Sequence, residues 1–209
     1  MNPTKPASIT LAITGASGAM YGLRLLQVLL ESDIKVNLLI SNAARIVIAT
    51  ETEFKFPSSK SDLVVYLSDL YKTDKNLLNI YGKDQWMAPI ASGSNCDDAM
   101  IVCPCSTGTL SAIAVGASRS LLERAADVIL KEGRQLILVP RETPYSPLHL
   151  DNMSKLASMG VCILPASPGF YHKPTTVSEL VDFIVARILD RISVSHTLVK
   201  RWGAGNDSS

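Results

Sequence analysis

A chain of 209 residues with 20 Lys and Arg against 19 Asp and Glu has a formal charge of +1 and no basic run, which disfavours a nucleic-acid or membrane-surface partner. The length suits one domain (1–209, core about 8–192, tail 193–209) that buries about 70% of the surface its unfolded chain exposes, so no staple is needed. MNPTKPAS has no apolar signal region, no apolar run reaches the ~18 residues of a membrane span, and Cys96, Cys103, Cys105 and Cys162 form neither a disulfide scaffold nor a zinc spacing, so reduced thiols and a cytoplasmic location are expected.

Ile9 to Gly22, ITLAITGASGAMYG, begins as an apolar strand, breaks at Gly15 and Gly18, and resumes with helical spacing from Tyr21 to Leu30. Small residues at Gly15, Ala16, Ser17 and Gly18 let backbone N–H groups approach an anion at the start of the helix. The motif lacks the third Gly of the dinucleotide fingerprint and the Gly-Lys-Ser/Thr of a P-loop, so alone it is equally compatible with a plain tight turn. Lys35 to Ile40 predicts a second strand, with Ser41 as N-cap of a helix over Ala43 to Ala49. From Glu51 to Ser94 the pattern loosens; only Asp62 to Tyr71 predicts a helix, and the rest reads as polar and irregular.

Ala99 to Cys103 predicts a buried strand ended by Pro104, then the hydroxyl-rich loop Ser106, Thr107, Gly108 and Thr109 and a helix from Leu110 to Val115. A helix over Leu121 to Lys131, a strand over Gln135 to Val139 ended by Pro140, and a helix over His149 to Met159 capped by Gly160 follow. A strand over Val161 to Leu164 and a long helix over Thr176 to Ile192 complete the pattern. Five strands alternating with helices predict an α/β, Rossmann-like (flavodoxin-like) three-layer fold with a mainly parallel sheet. Ligands in such folds bind beyond the carboxyl ends of the strands, where TGASG, Ser41, CSTGT and Pro140-Arg141-Glu142 would converge on a phosphorylated ligand.

Some polar residues break the apolar pattern. Arg187 follows Leu180, Phe183 and Ile184 at helical spacing, which points it into an apolar face; a buried Arg needs an anion, whether a structural carboxylate, a subunit partner or a ligand phosphate. Glu51 ends a helix on either the pocket or the solvent side. Arg124 and Lys131 flank Asp127 on one helix, a pattern that an ion-paired solvated face also produces. Trp202 and Tyr171 stand in loops and suit packing anchors. His149, His172 and His196 are late and scattered, without a metal or Ser-His-Asp order, and no His lies near Cys103 or Cys105 in sequence to make a nucleophile of either.

The segments ITGASGAMYGLRLL, LISNAA with ATE, WMAPIASGS, CPCSTGTLSAIAVG, LLERAADVILKE, LVPRETPYSPLHLDNM and LPASPGFYHKP resemble, in order and spacing, the UbiX-type flavin prenyltransferases, from about Ile9 to Trp202. The resemblance implies metal-independent prenylation of reduced FMN at N5 and C6 by dimethylallyl monophosphate, giving prenylated FMN for UbiD-type decarboxylases, with ubiquinone biosynthesis as an end use. It implies a homododecamer. By motif, Gly15, Ala16, Ser17, Ser41, Ser106, Thr107, Gly108, Thr109 and Arg141 correspond to FMN contacts. Tyr171 and Arg187 correspond to prenyl-phosphate contacts, joined by Lys131 and, across a subunit boundary, Arg124. Glu51, with Ser17 and Glu142 nearby, is implied in proton handling.

The chemistry fits these assignments. Without a metal, several cations, here Arg124, Lys131, Arg141 and Arg187, must stabilise the charge that develops on the phosphate as the C–O bond breaks. An allylic cation needs a dry aromatic surrounding, for which Trp86, Trp202 and Tyr171 are available. The alternatives are an FMN-dependent cysteine decarboxylase, from whose pattern CPCSTGT, PRETPYS and the lack of any His before His149 depart, and a non-catalytic flavin carrier.

Overall fold

The computed structural model describes residues 5–200; Trp202 lies outside them. Six strands form one parallel sheet in the order β3-β2-β1-β4-β5-β6. They are β1 (Ser8–Ile13), β2 (Lys35–Ile40), β3 (Leu78–Tyr81), β4 (Ala99–Cys105), β5 (Gln135–Pro140) and β6 (Cys162–Ile163). The chain winds outward from β1 in one direction and restarts at β4 in the other, so the crevice where the order reverses lies between β1 and β4.

Seven α-helices cover the sheet: α1 (Ala19–Glu31), α2 (Asn42–Glu51), α3 (Lys60–Tyr71), α4 (Thr107–Ala114), α5 (Leu121–Lys131), α6 (Pro147–Ser158) and α7 (Val177–Arg191). Strand alternation divides the core into two layers. Ile9, Leu11 and Ile13 pack with Leu26 of α1, Ile48 of α2, Leu63 of α3 and Ile184 of α7 on one face. Ala12, Met100 and Val102 pack with Leu110 of α4, Ala125 of α5 and Leu156 of α6 on the other.

Hydroxyl side chains start most of these helices. Ser41, Ser106, Ser120, Ser146 and Thr176 each accept a backbone N–H from the first turn, satisfying donors that have no partner inside the helix. The expected helices over 43–49, 62–71 and 110–115 accordingly begin one to three residues earlier, because the cap and not the first apolar residue sets the start.

Two expectations about strands are corrected. The stretch read as irregular contains β3, an edge strand parallel to β2; its Asn79 hid the pattern. Pro104 does not end its strand, whereas Pro140 stands at the end of β5 as expected. Pro104 lies within β4 at a shift in register between Val102 and Cys105, where no ladder bond is lost, and Pro140 pairs with Cys105 as the last residue of β5.

Asn79 belongs to a buried polar ladder. Its amide donates to Asn37 Oδ1 at 2.9 Å; Asn37 Nδ2 in turn donates to Asp97 at 2.9 and 3.0 Å, and Thr10 donates to the same carboxylate. Every member of the ladder has partners, which is what makes a carboxylate tolerable beneath the sheet.

Candidate functional site

The turn after β1 is held from three sides. Thr14 Oγ1 donates to Pro104 O at 2.7 Å and accepts Ser106 N–H at 2.8 Å, tying the ends of β1 and β4 together across the crevice. Arg141, just past β5, donates Nε–H to Ser17 O at 3.1 Å. Gly18 adopts φ 101° as N-cap of α1, a conformation in which only Gly is unstrained.

The N-terminus of α1, expected to receive an anion, receives one from the chain itself. Glu51, at the last position of α2, accepts Gly18 N–H at 2.9 and 3.1 Å and Ala19 N–H at 2.9 Å. The Glu51 carboxylate thus lies on the turn after β1, exposed and outside the lining of the neighbouring cavity. Burial pushes its carboxyl up, but the Ser17 hydroxyl, the Ala19 and Gly18 N–H groups and the Arg141 charge together hold it below the usual carboxylate range. The result is an ionised carboxylate fixed beside an Arg and a serine hydroxyl. Glu142 follows Arg141, and its carboxylate accepts Thr143 N–H at 3.0 Å.

Beside this turn, a cavity of about 490 Å³ opens at the carboxyl ends of β2 and β3. Ser41, Thr109 and Ser120 line it with Arg45, Lys60 and Lys83 and one acid, Glu123, whose carboxylate accepts Arg119 N–H. Hydroxyls with three cations are a donor set that suits a flavin phosphate. A Cβ at Gly108 would meet nothing within 4 Å, so the start of α4 is open. The residues present therefore fit the group that the sequence implies. Arg45, Lys60 and Lys83 escaped sequence reasoning because two of them lie in or beside the stretch that could not be placed.

The expected prenyl-phosphate contacts form two further groups. Tyr171 and Arg187 line one cavity of about 780 Å³ with Phe183, Asp190, His196 and Lys200. Arg187 does not enter the apolar face. Its side chain is 58% exposed and pairs with Asp190 at 3.0 Å, because α7 turns Ile184, Ile188 and Leu189 inward and leaves position 187 on the rim. Arg124 and Lys131 lie on α5, across the sheet from α7. Arg124 donates to Asp127 at 2.8 Å and to Ala91 O at 3.2 Å, and Lys131 pairs with Glu132 against Gly93. The four cations expected to surround one phosphate therefore do not meet within a single chain.

Cys103 and Cys105 are fully buried, and burial pushes both thiols up, that of Cys105 to about 12. Neither suits a nucleophile. Among the described residues no group of three or more His, Cys, Asp or Glu side chains could hold a metal ion.

Known proteins match this chain closely in sequence and fold. The Flavoprotein family model matches residues 2–189, and the flavin prenyltransferase UbiX of Pseudomonas aeruginosa is 52% identical over 198 residues, 95% of each chain. The chain belongs to the UbiX flavin prenyltransferase family. Two solved UbiX-type structures superimpose on it. AnUbiX (PadA1), in complex with FMN and dimethylallyl pyrophosphate, has a TM-score of 0.84 at 37% identity and covers 95% of this chain and 98% of its own. A dodecameric FMN-dependent UbiX-like decarboxylase from Escherichia coli O157:H7 has a TM-score of 0.83 at 40% identity, covering 94% of this chain and all of its own. For a UbiX family member, the pairing of cations on separate helix faces with adjacent carboxylates is the feature that asks for explanation.

Proposed function

We propose that this chain is a flavin prenyltransferase that joins the dimethylallyl group of dimethylallyl monophosphate to reduced FMN, making prenylated FMN for a UbiD-type decarboxylase. The observation that carries the proposal is the Glu51 carboxylate, held ionised on the α1 N-terminus beside Arg141 and Ser17, in a chain 52% identical to a named flavin prenyltransferase. Reduced FMN supplies the electron-rich N5 and C6 positions. Ser41 and the Ser106 to Thr109 loop hold its phosphate, and the Gly15-Ala16-Ser17 turn with Arg141 orients its ring.

Tyr171, Arg187, Lys131 and Arg124 take the prenyl phosphate, and their charge stabilises the departing phosphate without a metal. Since α5 and α7 lie on opposite faces of one subunit, the site is completed by neighbouring copies, which is in keeping with a dodecamer like that of the E. coli protein. Closing the second bond at C6 needs a proton added to the prenyl double bond and the C6 proton removed; Glu51, with Ser17 and Glu142 nearby and the released phosphate sharing the work, handles these protons, its carboxylate being ionised at neutral pH and so able to accept one. Unpaired thiols at all four cysteines agree with a cytoplasmic location. No helix among the described residues is long and apolar enough to cross a membrane.

The test is anaerobic incubation of the purified protein with reduced FMN and dimethylallyl monophosphate or, separately, the diphosphate, with mass detection of the flavin. Conversion with the monophosphate is expected. Unchanged flavin with both donors overturns the proposal and leaves a flavin carrier. A product with the diphosphate alone corrects the donor.

A further inference from the structure

Asp190 is bonded on both sides. Its Oδ2 accepts from Arg187 Nη1 at 3.0 Å, one turn back on α7, and its Oδ1 lies 3.3 Å from Nε2 of His196, which comes from beyond the end of the helix. The exposures differ widely: the Arg187 side chain is 58% exposed and Asp190 34%, but that of His196 only 8%. An ionised carboxylate only accepts hydrogen bonds, so the proton of a neutral imidazole belongs on Nε2. His196 Nδ1 is then a bare nitrogen, buried and without a partner among the described residues.

That arrangement is more than an ion pair requires. An exposed Arg–Asp pair at i, i+3 contributes little to stability and needs no third member. Burying an imidazole with one orphaned nitrogen opposes folding. What the imidazole does is occupy the second carboxylate oxygen. A carboxylate with both oxygens open can take a guanidinium bidentately and use its planar fork. With Oδ1 engaged by His196, Asp190 holds Arg187 through one N–H, and the remaining guanidinium donors are not used on it.

We propose that Asp190 and His196 form a clamp that presents Arg187 to the phosphate of the prenyl donor, with His196 as a positioning residue acting through Asp190. The cavity of about 780 Å³ that these three residues share with Tyr171 and Lys200 is where the phosphate arrives. The clamp rests on the assignment of Arg187 to that phosphate, and the experiment separates the two.

KM for dimethylallyl monophosphate and kcat are measured with reduced FMN for the full-length protein and for Arg187→Ala, His196→Ala, His196→Gln and the Arg187→Ala/His196→Ala double variant. Glutamine keeps an N–H donor near the Nε2 position. Loss of one hydrogen bond of ordinary strength at a partly exposed carboxylate predicts a rise in KM of roughly five- to ten-fold for His196→Ala with kcat nearly kept. The glutamine variant is expected to recover most of it, and no further rise is expected when His196→Ala is added to Arg187→Ala. A normal KM in His196→Ala, or the same rise whether or not Arg187 is present, overturns the clamp while Arg187 keeps its role. A normal KM in Arg187→Ala removes the phosphate assignment and the clamp with it. Thermal melting of each variant identifies a change due to misfolding, in which case the glutamine variant and the cycle decide.

Discussion

The strand-end turns and the helix-borne cations solve opposite problems. Around β1, β4 and β5 the turns are tied to other parts of the same chain: Thr14 to Pro104 and Ser106, Glu51 to the start of α1, Arg141 to Ser17. On α5 and α7 the cations assigned to the phosphate pair with a carboxylate on their own helix or next to its end, Arg124 with Asp127, Lys131 with Glu132 and Arg187 with Asp190. One region is organised within a subunit before any ligand arrives. The other keeps its charges on partners that a phosphate can replace, and local exposed pairs are weak enough to exchange. A flavin-holding half built into the fold and a phosphate-holding half assembled between copies would show this contrast.

The contrast is broken most severely at Glu51. Glu51→Gln keeps an oxygen that can accept an N–H of Gly18 or Ala19 but loses the base, so formation of the fully closed product is expected to fall by about 10²–10⁴-fold. Flavin carrying the five-carbon unit through a single bond has the mass of the closed product, so it is expected to accumulate as a chromatographically distinct isomer whose proton NMR spectrum keeps the C6–H and the prenyl double bond. A normal yield of closed product would remove Glu51 from proton handling.

Thr14 is the next most sensitive point, because it joins the two halves of the sheet at the crevice. Thr14→Val is nearly isosteric but removes two hydrogen bonds, leaving Ser106 N–H without its partner and Pro104 O with only the Thr14 backbone N–H at 3.3 Å. A loss of roughly 2–3 kcal/mol is expected in urea unfolding, together with weaker FMN binding as the Ser106 to Thr109 loop loosens. A loss near zero would mean that the loops are held by helix packing alone.

A pH titration tests the same carboxylate from the stability side. A carboxyl lowered in the folded state stabilises the protein above its ordinary value of about 4.3. That contribution is lost as pH falls through the lowered folded value. The melting-temperature gap between wild type and Glu51→Gln is therefore expected to be constant near neutrality and to close only in acid. Glu51 is largely exposed, so the gap itself will be small. A gap that closes between pH 6 and pH 7 would mean a raised carboxyl, and an acid in place of a base.

These sensitivities also show what the sequence made legible. The strand-turn-helix rhythm around TGASG and CPCSTGT was readable because apolar strands end abruptly at small and hydroxyl residues, and hydroxyl caps fix helix starts locally. The edge strand β3 was not, because Asn79 faces the buried carboxylate of Asp97 through Asn37, a partnership across some 60 residues of chain that no local period carries. Arg187 misled for the same reason. Helical spacing places it next to the apolar stripe, but a few tens of degrees around the helix decide between core and rim, and only packing of α7 against α1 sets that angle. The motif resemblance supplied the roles of Arg124 and Lys131, for which spacing alone offered an ion-paired face, and that face is what a single subunit presents.

The smallest expected change sharpens the contrast from its other side. If the cations on α5 are kept for a ligand, removing one should hardly affect the fold. Arg124→Ala loses a pair with Asp127 at 2.8 Å, both side chains more than a third exposed, and a bond to Ala91 O, so its stability is expected to stay within about 1 kcal/mol of wild type. Loss of positive charge at the phosphate should instead appear as a higher KM for dimethylallyl monophosphate, with KM for reduced FMN unchanged. The opposite outcome, a melting temperature lowered by many degrees with normal kinetics, would make Arg124 a strut between α5 and the Ala91 turn. The two regions would then no longer differ in kind, because α5 would be tied down in the manner of the turns after β1 and β4.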